Sequence, residues 1–118
     1  MGAFRRVILG GLRWDAGILR SYVRVERNVP AAFRVGISVS TRQWNAVQRN
    51  RLRRLVREGL RRERPSVCAA LESASARADM VVQVRTIADP SRVHLRDVQP
   101  PMIQLCKRLV RLVVSETL

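Results

Sequence analysis

Two stretches of the chain alternate between apolar and polar side chains, the pattern of a β-strand with one buried face. In residues 18–27, leucine, serine and valines alternate with arginines, a tyrosine and a glutamate. In residues 33–40, phenylalanine, isoleucine and valines alternate with arginine, glycine and serines. Turn-forming residues from Asn28 to Pro30 join the two stretches. This short connection predicts that the two strands pair as an antiparallel hairpin.

Residues 45–64 form a predicted helix that carries eight arginines. At the helical period its leucines, Val56 and Gly59 fall on one apolar side, and most of the arginines fall opposite. Pro65 predicts the end of this helix, because the residue before a proline resists helical geometry. A second, short helix is predicted over residues 67–78.

Three further elements complete the pattern. An almost unbroken apolar run over residues 80–87 predicts a central strand that is covered on both faces. Residues 100–114 carry an apolar stripe at the helical period, which predicts a final helix packed on the core, with two prolines in its first turn. Residues 4–9 predict a short helix that a pair of glycines ends.

These elements predict one domain over residues 1–118, since no linker or internal repeat divides the chain. The order of strand, helix and strand over residues 33–87 predicts a βαβ crossover. We therefore expect an α/β fold, a small two-layer sandwich with helices packed on one face of a mixed sheet.

The net charge of the chain is the first indication of a binding partner. The net charge of +14 and the sequence pI of about 11.8 indicate binding to a polyanion, either RNA, DNA or an anionic membrane surface. The membrane is disfavoured, because the arginine-rich helix needs its apolar side for the core. No apolar run is long enough to span a bilayer, and no clear signal peptide is present. We expect a soluble intracellular protein.

The sequence shows no constellation of side chains for protein-based catalysis. His94 is the sole histidine, and it lies in a polar loop without a recognisable nucleophile or acid partner. Cys68 and Cys106 are far apart and have no companions at metal-ligand spacing, so we expect buried thiols. We predict no catalytic residue and no metal site in the protein, and a binding function instead.

The polar face of the predicted strands extends the basic surface of the helix. It presents Arg20, Tyr22, Arg24, Arg34, Ser38 and Ser40. Tyr22 is either a base-stacking platform, worth about 1–3 kcal/mol per stacked base, or a solvent-exposed strand tyrosine. Because the donors spread over a sheet face and a neighbouring helix, single-stranded or irregular RNA fits better than a duplex groove.

Residues 33–61, FRVGISVSTRQWNAVQRNRLRRLVREGLR, resemble the signature of the bacterial ribonuclease P protein component. The matching positions are Val39, Ser40, Arg42, Asn45, Ala46, Val47, Arg49, Asn50, Arg51, Arg53, Arg54, Arg57 and Glu58. Weaker likeness extends over nearly the whole chain. The resemblance implies a sandwich of the ribosomal-protein-S5-domain-2-like type, with a left-handed crossover where the general rule predicts a right-handed one.

The resemblance also implies a function. The chain would be the accessory subunit of a ribonucleoprotein endonuclease that removes the 5′ leader of precursor tRNA. Its partners would be ribonuclease P RNA, which performs the hydrolysis with Mg²⁺ bound mainly by the RNA, and precursor tRNA. The location would be the bacterial cytoplasm, with no DNA or membrane partner. The alternative is a non-enzymatic RNA-binding structural protein, such as a ribosomal or assembly factor.

Site residues follow from the resemblance and from the polar strand face. The residues expected to bind the catalytic RNA are Arg42, Asn45, Arg49, Asn50, Arg51, Arg53, Arg54 and Arg57. The residues expected to bind the leader are Phe4, Arg20, Tyr22, Arg24, Ser38 and Ser40. The end of the helix, with Arg61, Arg62 and Arg64, is expected to be solvated.

Four positions depart from the family pattern. Thr41 replaces a usual lysine, Trp44 a usual glycine, Ile8 a common aromatic residue of the leader cleft, and Gly59 a better helix former at a cost of about 1 kcal/mol. We expect Trp44 either to strain its loop, if the loop needs a conformation open mainly to glycine, or to stack on RNA.

Overall fold

The computed structural model describes residue 7 and residues 10–40, 42–85 and 89–115. Phe4, Thr41 and all of the predicted helix over residues 4–9 except Val7 lie outside the described residues. The strands are β1 (Leu12–Ala16), β2 (Leu19–Arg27), β3 (Ala32–Ser38) and β4 (Ala76–Val84), and the helices are α1 (Ala46–Ala74) and α2 (Leu95–Ser115). A short 3-10 turn, Pro90–Arg92, precedes α2.

The strands form one mixed sheet in the order β1-β2-β4-β3. β4 runs antiparallel to β2 and parallel to β3, so β3, α1 and β4 make the predicted βαβ crossover. α1 packs over β3 and β4, and α2 packs over β1 and β2, with the main core between helices and sheet. This confirms the predicted two-layer α/β sandwich. The left-handed sense of the crossover stays a prediction.

The predicted hairpin of β2 with β3 is wrong, because β4 lies between them. Every residue of β4 is buried except the half-buried Arg77 and Gln83. β4 is paired along both edges, with β2 on one side and β3 on the other, which satisfies its backbone groups and places it at the centre of the sheet. β4 also begins at Ala76, earlier than the predicted residue 80.

β1 was not predicted from the sequence. It alternates like the longer strands, with Trp14 and Ala16 buried and Arg13 and Asp15 exposed, but over only five residues. The chain then turns at Gly17, whose φ of 51° suits glycine, and returns as β2. The alternating pattern of this strand is present in the sequence, but it is short. It directly follows Gly10 and Gly11, which favour an interruption of regular secondary structure.

α1 does not end at Pro65; it continues to Ala74, so the predicted second helix is its C-terminal part. Pro65 is exposed, and its ring and the missing hydrogen bond therefore face solvent instead of the core. Beyond it, Val67 and Leu71 are each only 1% exposed. Their burial contributes about 1.5–3 kcal/mol each, which offsets a proline cost of about 3 kcal/mol. The helix ends at Ser75, which has a left-handed φ of 51°.

α2 begins at Leu95, ahead of the predicted residue 100, so both prolines lie inside the helix. Its start is marked by Asp97, whose carboxylate accepts a hydrogen bond from the backbone N–H of His94 at 2.9 Å. The apolar stripe packs on the core as predicted, with Met102, Leu105, Cys106, Leu109 and Val113 buried.

The structure accounts for Trp44 among the residues that depart from the family pattern. Trp44 is 6% exposed and belongs to the core. Its φ is not positive, because among the described non-glycine residues only Asn28 and Ser75 have positive φ. Both expectations for Trp44, a strained loop and stacking on RNA, are therefore wrong. Gly59 lies where the helices meet, but a Cβ there would be in ordinary van der Waals contact, 3.4 Å from Val98 Cγ1, so nothing in the structure explains the glycine.

Cys106 and His94 match the expectations, whereas Cys68 is less buried than predicted. Cys106 is buried and Cys68 half-buried, and both are free thiols. Burial raises the pKa of the Cys106 thiol to about 12, which keeps it neutral at physiological pH. His94 is exposed. In the part of the chain that the structure describes, no helix has the length and apolar character needed to cross a membrane.

Candidate RNA-binding surfaces

A capping box fixes the start of α1. The Asn45 side chain accepts a hydrogen bond from the Gln48 N–H at 2.9 Å, and the Gln48 side chain accepts one from the Asn45 N–H at 3.0 Å. The buried Trp44 immediately precedes the cap. Asn45 thus has a role in positioning the helix and its arginines, while its predicted contact with RNA stays a prediction.

The side chains of the two arginines that flank Asn50 donate hydrogen bonds to backbone carbonyls. Arg49 donates from Nη1 to the carbonyl of Trp44 at 2.6 Å. Arg51 donates from Nη1 to the carbonyls of Pro90 and Val93. Each guanidinium has five N–H donors, so both side chains keep donors for a further ligand. Their positions are fixed by the fold, and their predicted contact with RNA is not tested.

The N-terminal half of α1 and the loop before it present what we call the α1 arginine surface. It consists of Arg42, Asn50, Arg53, Arg54 and Arg57. All are exposed except Arg53, which is half-buried and donates to Asn50 Oδ1 at 3.3 Å. The buried side of the same helix carries Leu52 and Val56, as the periodicity predicted.

Among the described residues, no ion pair involves an arginine of this surface. Five described carboxylates form ion pairs, all with other arginines: Asp15 with Arg13 and Arg20, Asp79 with Arg34 and Arg77, Glu26 with Arg77, Glu58 with Arg61, and Asp89 with Arg92. The positive charge of the α1 arginine surface is therefore available to an external anion such as a phosphate.

Arg61, Arg62 and Arg64 are exposed, as predicted for a solvated end, but Arg64 also contacts the sheet. Arg64 donates from Nη2 to the carbonyl of Phe33 at 3.1 Å, and its guanidinium lies 5.2 Å from the centroid of the Phe33 ring. This contact joins α1 to β3. Arg61 pairs with Glu58 at 3.2 Å, and Arg62 is exposed.

The face of the sheet away from the helices, here called the outer sheet face, carries the predicted leader residues of β2 and β3. In the strand register, three rows cross this face: Arg20–Gln83–Ser38, Tyr22–Val81–Gly36 and Arg24–Asp79–Arg34. The rows differ in chemistry, because the first is polar, the second carries the aromatic ring and the third is charged. The strand parity predicted from sequence is confirmed for β2 and β3.

An open cavity of about 490 Å³ lies at one end of this face. It is lined by Gly17, Ile18, Arg20, Ser38, Ser40, Gln43, Gln83, Val84 and Arg85. The cavity thus brings together Arg20, Ser38 and Ser40 from the predicted leader set. Tyr22 and Arg24 lie further along the same face.

Gln83 and Arg85 are lining residues that the sequence reasoning missed. The signal was the alternation of residues 81–85, in which polar side chains appear at every second position. It was overlooked because the apolar run before Gln83 indicated a strand covered on both faces.

Ion pairs fix several cations of the outer sheet face. Arg20 donates to Asp15 at 2.8 Å, and this hydrogen bond lowers the pKa of Asp15 and raises the pKa of Arg20. Arg34 donates to both oxygens of Asp79, at 2.7 and 2.9 Å, which raises the pKa of Arg34. Arg24 is exposed and has no ion pair among the described residues.

The described residues contain no group of three or more histidine, cysteine, aspartate or glutamate side chains that could hold a metal ion. The two surfaces offer guanidinium, hydroxyl and amide donors, which can bind phosphates and bases.

The family model described as Ribonuclease P matches residues 2–110. The chain belongs to the ribonuclease P protein family. A curated relative, the ribonuclease P protein component of Exiguobacterium sp. (strain ATCC BAA-1283 / AT1b), is 60% identical over 35 residues, which cover 30% of this chain and 31% of that relative. The match therefore spans less than a third of either protein.

Solved structures of the family share the fold of this chain. The ribonuclease P protein of Thermotoga maritima has a TM-score of 0.69 at 25% identity, with 89% of each chain covered. The ribonuclease P protein of Staphylococcus aureus has a TM-score of 0.68 at 22% identity, with 91% of this chain and 88% of that chain covered. The likeness spans both helices and the sheet of a two-layer sandwich.

Proposed function

We propose that this chain is the protein subunit of a bacterial ribonuclease P. In this role, the α1 arginine surface binds the catalytic RNA. The outer sheet face and its cavity bind the single-stranded 5′ leader of precursor tRNA. The protein assists the endonucleolytic removal of the leader during tRNA 5′ maturation in the cytoplasm, and neither DNA nor a membrane is an expected partner.

The distribution of charge on α1 is the strongest support for this function. Arg42, Arg54 and Arg57 are exposed on the α1 arginine surface, and every ion pair among the described residues joins a carboxylate to an arginine outside it. Arginine binds phosphate oxygens through two parallel N–H donors, and each neutralised phosphate releases counterions. A folded RNA, with phosphates at many angles, suits a convex helical surface of this kind.

The outer sheet face suits a single strand better than a duplex. Its open cavity is lined by hydroxyl, amide and guanidinium donors, including Ser38, Gln83 and Arg20. Tyr22, one row further along, offers a ring on which an unpaired base can stack. Paired bases in a helix are already stacked and do not present their faces to such a ring.

We assign the chemistry to the RNA partner and the Mg²⁺ ions that it binds. The described residues lack a cluster of metal ligands, which supports a protein that binds and orients instead of cleaving. Bound Mg²⁺ supplies Lewis acidity and a more acidic water in phosphodiester hydrolysis. The residues of this chain then hold the leader and the catalytic RNA in position, a contribution of proximity and orientation.

Reconstitution tests this proposal. The full chain is mixed with a bacterial ribonuclease P RNA and a precursor tRNA, and leader removal is followed over a series of Mg²⁺ concentrations. We expect the protein to lower the Mg²⁺ concentration needed for cleavage, because its cations replace part of the counterion charge that brings the two RNAs together.

The controls in this experiment separate the proposal from its alternative. Cleavage by the RNA alone at high Mg²⁺ shows that the catalyst is active. If the chain then binds the RNA but leaves cleavage at low Mg²⁺ unchanged, it is a non-enzymatic RNA-binding protein and the proposal fails.

A further inference from the structure

A second basic surface lies on α2, away from the α1 arginine surface. Lys107, Arg108 and Arg111 are exposed on the side of α2 opposite its buried stripe. α2 packs over β1 and β2, whereas α1 packs over β3 and β4, at the other edge of the sheet. We call the three cations and Gln104 beside them the α2 basic surface.

One cation of the α2 basic surface is held in place by an aromatic ring. The guanidinium of Arg108 lies 4.8 Å from the centroid of the Trp14 ring, and Trp14 itself is only 5% exposed. A guanidinium stacked in this way keeps the N–H groups around its edge free for a ligand. Less conformational freedom is then lost when a phosphate binds.

The α2 basic surface is concave where it meets β1. A cavity of about 290 Å³ is lined by Asp15, Ala16, Gln104, Leu105, Lys107, Arg108 and Arg111. The lining therefore combines the three cations with an amide and one carboxylate, and the cations surround a space large enough for a phosphate group.

No ion pair among the described residues joins a carboxylate to Lys107, Arg108 or Arg111. Asp15 already pairs with Arg20 at 2.8 Å and with Arg13 at 3.4 Å. Glu63 lines a neighbouring groove together with Lys107 and Arg111, but no ion pair joins it to them. The sole acid within α2 is Asp97, in its first turn.

We propose that the α2 basic surface binds the phosphate backbone of double-helical RNA. A duplex fits better than a single strand, because α2 contains no aromatic residue and Trp14 lies under Arg108, so no ring is free to stack on a base. Double-helical RNA is bound mainly through phosphates and 2′-hydroxyls. The inference adds an RNA-binding surface to the proposed function and does not depend on it.

The chain offers a direct probe of this surface, because Lys107 is its sole lysine. The test measures the acetylation rate of Lys107 by mass spectrometry, with the full chain alone and saturated with a perfectly paired RNA hairpin. We expect the hairpin to slow acetylation several-fold, and an unstructured single strand to slow it less. An unchanged rate at saturation would overturn the proposal.

A variant shows whether the surface acts independently. In R53A/R54A/R57A the α1 arginine surface loses three of its four arginines, and we expect saturating hairpin still to protect Lys107. Loss of protection in this variant would mean that Lys107 is covered only when α1 binds, which contradicts a second surface. Reconstituted cleavage is measured separately, so failure of this proposal and failure of the proposed function give different results.

A matched pair of substitutions measures how many phosphates the surface neutralises. R108Q/R111Q should lower the slope of log affinity for the hairpin against log salt by about 0.7–0.9 for each phosphate that the variant no longer binds. R62Q/R92Q removes the same charge at exposed positions outside both surfaces and should leave the slope nearly unchanged. Equal slopes for the two variants would contradict the proposal.

Discussion

Arg51 donates from a single guanidinium nitrogen to the carbonyls of Pro90 and Val93, and so joins α1 to the turn before α2. Arg49 similarly donates to the carbonyl of Trp44. A hydrogen bond from a charged donor contributes about 1.5–3 kcal/mol, so substitution of either arginine would disturb the fold as well as any RNA binding. Residues without such bonds are better probes of RNA binding.

Tyr22 is the residue that best tests the proposed leader site. We predict that Tyr22→Ala weakens binding of the reconstituted complex to precursor tRNA by roughly 5- to 150-fold, the equivalent of removing one stacked base at about 1–3 kcal/mol. Binding to mature tRNA, which has no leader, should change little. Affinities for the two tRNAs, measured with wild type and variant, provide the comparison.

Tyr22→Phe is the matched control, because it keeps the ring and removes only the hydroxyl. It should bind precursor tRNA nearly as well as wild type. Equal weakening of precursor and mature tRNA by Tyr22→Ala would remove Tyr22 from the leader site.

The roles of single residues were predictable where the chain is periodic. Strand parity placed Arg20, Tyr22 and Ser38 on one face, because alternate side chains of a strand point the same way whatever the strand pairs with. The burial of Trp44 was not predictable in this way, because a loop has no period that relates a position to the core.

At the scale of elements, the cap of α1 sets the position of the arginines that follow it. We predict that Asn45→Ala lowers the free energy of unfolding by about 1 kcal/mol, because the N–H of Gln48 loses its acceptor. Urea unfolding of the isolated protein measures this change. Asn45→Ser, which keeps a capping oxygen, should be close to wild type in stability.

The same two variants separate capping from RNA binding. If Asn45 acts only through the cap, Asn45→Ser keeps wild-type affinity for the catalytic RNA. A loss of RNA affinity in Asn45→Ser at unchanged stability would show that the side chain contacts the RNA directly. Equal stability of the alanine and serine variants would contradict the role of the cap.

The pattern of the chain predicted which face of each element is buried, but not which elements are neighbours. β2 and β3 follow each other in sequence, yet β4 separates them in the sheet, because pairing is decided by tertiary packing. Pro65 shows the same limit for helices. A proline is expected to end a helix, but burial of Val67 and Leu71 beyond it stabilises the continuation.

At the scale of the whole molecule, the fold sorts arginines into two groups. Some pair with carboxylates or with backbone carbonyls, as Arg34 does with Asp79 and Arg64 with Phe33. Others, such as Arg54 and Arg57, are exposed and make no ion pair among the described residues. The sequence predicted the total charge and a polyanionic partner. It could not predict this division, because partners such as Arg34 and Asp79 are far apart along the chain.

Binding of the catalytic RNA by the α1 arginine surface should be visible in the salt dependence of affinity for ribonuclease P RNA, measured for wild type and for R53A/R54A/R57A. The control R62A/R92A/R96A removes three exposed arginines outside both proposed surfaces. We predict that the first variant lowers the slope of log affinity against log salt by about 2–3, at about 0.7–0.9 for each phosphate that is no longer neutralised, while the control stays near wild type. A slope that is unchanged, or that falls equally in both variants, would contradict binding at this surface.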